Sequence, residues 1–87
     1  MVKAWKDSAW AEFEDWISRD RKTVSKILRL LKDIDRNGYY GIGKPEPLRE
    51  DWSGYWSCRI DPKNRLIFKI DGETIWIEQC ASHYGDK

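Results

Sequence analysis

The chain's single histidine, His83, stands four residues before its C-terminus with Tyr84 beside it. Imidazole is the one side chain whose unperturbed pKa, about 6.5, lets it exchange protons near neutral pH, so a histidine next to a phenol suits acid/base chemistry. Two arginines, Arg59 and Arg65, lie upstream in strand-like segments, and guanidinium groups match phosphate geometry while keeping their charge. Cleavage of a phosphodiester by its own 2′-hydroxyl needs a base, a cation on the phosphorane and an acid for the departing oxygen. With one histidine, the second proton carrier must be a different group. Glu46, held between Pro45 and Pro47 in Lys44-Pro45-Glu46-Pro47-Leu48, is the best candidate, because the prolines fix its backbone. Each residue also has a plainer reading. A lone terminal histidine is more often packing than chemistry, a loop acid is more often solvated, and Arg65 can be a weak surface ion pair with Asp61 or Glu78.

The 87 residues make one small domain, 1–87, that buries about 60–65% of its extended surface and has little room for a cofactor domain. Six tryptophans, four tyrosines and two phenylalanines offset the shortage of aliphatic residues, since each buried ring removes about 150–250 Å² from water. One histidine and two distant cysteines, Cys58 and Cys80, give no metal-ligand spacing, so the expectation is chemistry with neither metal nor cofactor. The cysteines suit a reducing compartment. The start, Met1-Val2-Lys3-Ala4-Trp5, lacks an apolar leader and no later run approaches membrane-spanning length, which predicts a cytoplasmic protein with no membrane partner. The net charge is +1, a weak argument against nucleic acid, but the charge is segregated. Residues 7–15 hold acids only, whereas Arg19, Arg21, Lys22, Lys26, Arg29 and Lys32 face Asp20 alone. A basic helix face of this kind attracts phosphates, although a solvated outer face is its commoner role.

A helical half and a strand half must position these groups. A strand is expected at Val2–Trp5, then a helix capped by Asp7 or Ser8 with Trp10, Phe13, Trp16 and Ile17 on one side. After a break at residues 18–20, Val24, Ile27, Leu28, Leu31 and Ile34 keep helical spacing until Asn37-Gly38 provide a left-handed stop. Residues 39–51, rich in glycine, proline and charge, predict a loop without regular structure. Strands follow at 52–60, 65–70 and 74–81. A Pro62-Lys63-Asn64 hairpin loop pairs Asp61 with Arg65 and Arg59 with Ile67, and an Asp71-Gly72 turn pairs Phe68 with Ile75 and Leu66 with Ile77. That register turns Trp56, Cys58, Ile60, Leu66, Phe68, Ile70, Ile75 and Ile77 inward beneath the helices. Tyr55, Ser57, Arg59, Arg65, Lys69, Trp76 and Glu78 face outward, and Cys58 and Cys80 fall on opposite faces, which disfavours a disulfide. The expected class is α+β, a small antiparallel-rich sheet with two N-terminal helices packed on one face.

Gly43-Lys44-Pro45-Glu46-Pro47-Leu48, Ser53-Gly54-Tyr55-Trp56-Ser57, Arg59-Ile60, Arg65-Leu66 and His83-Tyr84 together resemble the YoeB toxins of the RelE superfamily, over essentially the whole chain. The resemblance implies a RelE-like fold and a ribosome-dependent, metal-free endoribonuclease of a type II toxin–antitoxin system. It implies a cognate antitoxin as partner, the ribosome and mRNA as targets, and leaves open the homodimer common among such toxins. Residue by residue, Glu46 resembles the general base, Arg65 the transition-state cation, His83 the general acid and Tyr84 an aromatic that helps hold the substrate. Lys44, Arg49 and Arg59 resemble phosphate contacts. Arg49 stands where a lysine is usual, Cys58 where a basic residue is frequent, and Ala81-Ser82 where a bulkier, more basic pair precedes the histidine. The second class of function compatible with these residues is a non-catalytic module whose aromatic surface binds a protein and whose basic helix touches RNA.

Overall fold

The structure, a computed structural model, describes residues 1–81. Strands β1 (Val2–Trp5), β2 (Glu46–Pro47), β3 (Trp56–Arg59), β4 (Arg65–Asp71) and β5 (Thr74–Gln79) form one sheet in the order β1-β5-β4-β3-β2. Helices α1 (Asp7–Arg19) and α2 (Arg21–Asn37) cover one face of it. Only the β1–β5 pair is parallel, because both helices and the other three strands intervene between its members.

Pairing, not a side-chain cap, starts α1. Lys6 takes the capping position expected of Asp7 or Ser8, offers no side-chain bond, and is fixed by its N–H donating to the Ile77 carbonyl at 3.0 Å. Asp20 serves both helices: its N–H closes α1 on the Trp16 carbonyl, and its carboxylate accepts from the Thr23 N–H and hydroxyl to open α2. Gly38, at φ 60°, ends α2. Ala9, Phe13 and Trp16 of α1 and Ile27, Leu30, Leu31 and Ile34 of α2 are buried against Cys58, Ile60, Leu66, Phe68, Ile75 and Ile77. The apolar stripes are rotated from the expected ones: Trp10, Ile17 and Leu28 are exposed, and Leu30 takes the inward place.

Both hairpins pair two residues away from the predicted register. Arg59 lies opposite Arg65 and Cys58 opposite Leu66, because the Asp61 carboxylate accepts from the N–H groups of Lys63 and Asn64 and draws residue 61 into the loop. At the other end Asp71 remains in the strand opposite Thr74, and Gly72 at φ 60° occupies the first central turn position, so Ile70 pairs with Ile75 and Phe68 with Ile77. Since strands alternate with period two, both shifts keep the predicted inward set inward. A bulge then breaks the alternation: Phe68 faces Ile77 but Ile67 faces Gln79, which leaves Glu78 as the extra residue. Cys80 is thereby turned into the same core as Cys58, contrary to the expected opposite faces, and both remain free thiols. β5 ends at Gln79 and β3 starts only at Trp56, because residues 52–55 form turns.

The 39–51 segment is also more regular than predicted. Short 3₁₀ turns at Gly38–Tyr40 and Glu50–Trp52 bracket β2, which adds to the sheet edge with Glu46 opposite Ser57 and Pro47 opposite Trp56. An edge tolerates prolines because no ladder donor is needed on the open side. Tyr39 anchors the segment, stacking on Trp56 with ring centroids 4.1 Å apart and accepting the Ile70 N–H at 2.8 Å. No helix among the described residues is long and apolar enough to cross a membrane.

Candidate active site

The sheet face turned away from the helices collects the candidate residues. Glu46, Ser57, Ile67 and Gln79 form one row across β2, β3, β4 and β5, with Arg59 and Arg65 as direct partners one pleat away. Ser57 and Ile67 are buried although they lie outside the helical core, so this face has a dry floor of its own. On that floor the Arg65 side chain is 19% exposed, with Nη1 3.6 Å from Glu46 Oε1 and 3.4 Å from Ser57 Oγ.

At that distance, with Glu46 72% exposed, the pair contributes about 1 kcal/mol or less to stability. Its consequence is positional: a carboxylate and a cation meet at one point. Arg65 Nε is buried with no hydrogen-bond partner among the described residues. A buried donor without a partner is costly, and a phosphoryl oxygen would satisfy it with a charge-assisted bond.

The expected competition for Arg65 is not what the fold builds. Asp61 is occupied by its own loop; burial alone would raise its pKa, but hydrogen bonds from Asn64 and Lys63 outweigh that and hold it below the usual carboxylate range. Glu78 accepts from Lys6 Nζ at 2.7 Å, and that contact in turn raises the lysine. Among the described residues, Arg65 is left facing Glu46.

The segment carrying Glu46 is pinned from beneath. A Cβ on Gly43 would press on Leu30 and Cys58, and one on Gly41 would collide with the Asp33 carboxylate, so two glycines let this stretch lie against α2 and β3. Lys44 follows at φ 48°, and Pro45 and Pro47 flank Glu46. Lys44 and Arg49 are exposed on either side of Glu46 along the chain, and Arg59 is exposed opposite Arg65. Cys58 is turned away from this face, and burial pushes its thiol up to about 12. His83 and Tyr84 lie outside the described residues. Gln79, two residues before the last described position, stands in the same row as Glu46, Ser57 and Ile67.

Sequence reasoning placed Ser57 on the outward face with Arg59 and Arg65 but gave it no role, and it did not name Ile67 or Gln79. Alternation within β3 put that small hydroxyl beside the arginines, as the structure has it, whereas the bulge concealed Gln79. Among the described residues no group of three or more His, Cys, Asp or Glu side chains converges to hold a metal ion.

The profile of the YoeB-like toxins of bacterial type II toxin-antitoxin systems matches residues 5–84. The toxin YoeB of Streptomyces coelicolor is 45% identical over 75 residues, spanning 86% of this chain and 89% of that protein. The solved YoeB/ParE toxin from Agrobacterium tumefaciens superposes with a TM-score of 0.93 at 37% identity, covering 97% of this chain and 100% of that one. A chain from the YoeB-YefM complex of Staphylococcus aureus gives 0.90 at 39% identity, covering 97% and 98%.

Proposed function

The chain belongs to the YoeB-like toxins of bacterial type II toxin-antitoxin systems, and from that membership we propose that it is a ribosome-dependent, metal-independent mRNA endoribonuclease of the cytoplasm, neutralised by a cognate antitoxin. The observation that carries the reading is the approach of Glu46 Oε1 to Arg65 Nη1 at 3.6 Å on a buried floor, beside a guanidinium nitrogen that lacks an acceptor among the described residues.

In the proposed reaction Glu46 removes the proton of a 2′-hydroxyl as its oxygen attacks the adjacent phosphorus. Arg65 turns from Glu46 to the non-bridging oxygens as their charge grows, which is where a preorganised cation acts most strongly. His83 gives its proton to the departing 5′-oxygen, leaving a 2′,3′-cyclic phosphate and a 5′-hydroxyl. Tyr84 holds the substrate, and Lys44, Arg49 and Arg59 meet neighbouring phosphates. The exposure of Glu46 favours ribosome dependence: an open face cannot by itself impose in-line geometry on a flexible RNA, and orientation is worth several orders of magnitude in rate. The YoeB-YefM assembly of the Staphylococcus aureus relative supports the expectation of an antitoxin partner.

The test is single-turnover cleavage on ribosomes programmed with mRNA, kept intact by polyamines in excess EDTA. Glu46→Gln and His83→Gln should each slow cleavage by about 10²–10⁴-fold, and Arg65→Ala by about 10²–10³-fold, with ribosome binding retained. Activity restored by a divalent ion irrespective of ribosome integrity, or undiminished cleavage by Glu46→Gln and Arg65→Ala, would refute the mechanism.

A further inference from the structure

The end of β5 is tied to α1 by side chains where strand pairing has run out. Pairing with β1 stops at Ile77 and pairing with β4 stops at Gln79, so among the described residues the backbone of residue 80 has no ladder partner. Three residues on one side of α1 take over. Trp16 Nε1 donates to the Cys80 carbonyl at 2.9 Å, Glu12 Oε1 accepts the Cys80 N–H at 2.8 Å, and the Ala9 carbonyl accepts from Cys80 Sγ at 3.5 Å. The Ala81 N–H also bonds to Glu12, and Gln79 Nε2 donates to the Ala81 carbonyl at 2.8 Å. Their positions 9, 12 and 16 fall on one helix face, since residues three and four apart share a side.

A carboxylate is an expensive group for packing alone. Burial raises the Glu12 pKa against the opposing pull of the two amide donors, so its presence asks for a role that an apolar side chain would not fill. The chain supplies one. His83 follows Cys80 by three residues, a tether of at most about 11 Å when fully extended. If the anchor were lost, the last paired residue would be Gln79, and the tether would lengthen to about 14 Å with its starting direction no longer fixed.

We propose that Glu12 and Trp16 are positioning residues for the terminal acid, fixing the residue-80 backbone so that His83 reaches the Glu46–Arg65 site. The inference rests on the reading of His83 as the proton donor. Neither residue touches RNA; they act through the length and direction of the tether.

The test is a double-mutant cycle in the same ribosome assay. Glu12→Ala removes the acceptor, Glu12→Gln keeps a carbonyl acceptor, and Trp16→Phe removes the N–H while keeping a ring. Glu12→Ala and Trp16→Phe should each slow single-turnover cleavage by about 10–100-fold without weakening ribosome binding, since misplacement near 1 Å costs up to about 100-fold. Glu12→Gln should recover most of the loss, and the Cys80 amide should lose hydrogen-exchange protection in Glu12→Ala. In a His83→Gln background, Glu12→Ala should cost less than about threefold, because nothing is left to position.

An equal penalty in both backgrounds would overturn the proposal, showing that Glu12 acts through stability or binding; so would an unimpaired Glu12→Ala in a cleaving wild type. If His83→Gln itself cleaves at the wild-type rate, the assignment of the acid fails first and the positioning role falls with it. Should Trp16→Phe fail to fold, the Glu12 pair alone decides.

Discussion

Gly43→Ala perturbs the site without touching a residue proposed to act in it. A Cβ at Gly43 would stand 2.9 Å from Leu30 Cδ2 and 3.3 Å from Cys58 Cβ. Carbon atoms settle at about 3.5–4.0 Å, so the alanine methyl and Leu30 must separate by about 0.6–1.1 Å. Neither neighbour can yield easily: Leu30 is buried in the core of α2 and Cys58 sits in mid-strand beneath it. The 41–45 stretch must give instead. Glu46 comes next after Pro45, whose fixed φ leaves little slack to absorb the displacement. Overpacking should cost about 1–3 kcal/mol in urea unfolding. A base displaced by most of an ångström should slow ribosomal cleavage by about 10–100-fold at temperatures where the variant is fully folded. Leu30→Val withdraws the clashing methyl at a cost of about 1 kcal/mol, so the double variant should regain most of the rate although Leu30→Val alone is destabilising. Wild-type cleavage by a destabilised Gly43→Ala would refute the reasoning, because the strain would then dissipate before reaching Glu46.

Tyr39→Phe keeps the stack on Trp56 but strands the Ile70 N–H, and should lower stability by about 1–3 kcal/mol in urea unfolding; an unchanged midpoint would mean that water replaces the hydroxyl. Burial pushes Cys58 and Cys80 from 9.0 up to about 12, which cuts their thiolate fraction more than it raises thiolate nucleophilicity, so near neutral pH the native thiols should react at least about 30-fold more slowly with an aromatic disulfide than those of the urea-unfolded chain, and rapid native labelling would contradict the burial. Asp20 is held below its ordinary 3.8 by its bonds to Thr23, so its contribution is present above that value and is lost as pH falls through the lower folded value. Asp20→Asn should therefore flatten the acid limb of Tm against pH. Glu12 has the opposite sign: burial raises it above 4.5, so its contribution is present below 4.5 and is lost as pH rises through the folded value, and Glu12→Gln should remove that decline.

Much of this was legible because it depends on period and composition. The α+β order, the strand Val2–Trp5, the break before α2 and the inward set Trp56 to Ile77 follow from spacing, and survive two register errors because each error is an even number of residues. What was lost depended on single side chains that no periodicity records. Asp61 reaching forward to Lys63 and Asn64 widened one hairpin, and Gly72 moved the other by taking the positive-φ slot. The edge strand at Glu46–Pro47 was hidden because its prolines argue against a strand until an open edge is known to be available. Charge alone could not choose a partner for Arg65, since Asp61, Glu78 and Glu46 are all acids near it in one register or another.

That choice is made by one extra residue in β5. Had the pairing of Phe68 with Ile77 continued regularly, Glu78 would lie opposite Ile67, in the row with Ser57 and Glu46, and Cys80 would point outward opposite Arg65. A second carboxylate in that row would compete with a phosphate for the guanidinium, and residue 80 would present nothing to α1. The bulge at Glu78 reverses both outcomes. It puts the neutral amide of Gln79 in the row, gives Glu78 to Lys6, and turns Cys80 inward to the Trp16 and Glu12 side chains. The local irregularity that defeated the sequence reading is thus the feature that leaves Arg65 to Glu46 and sets where the segment bearing His83 begins.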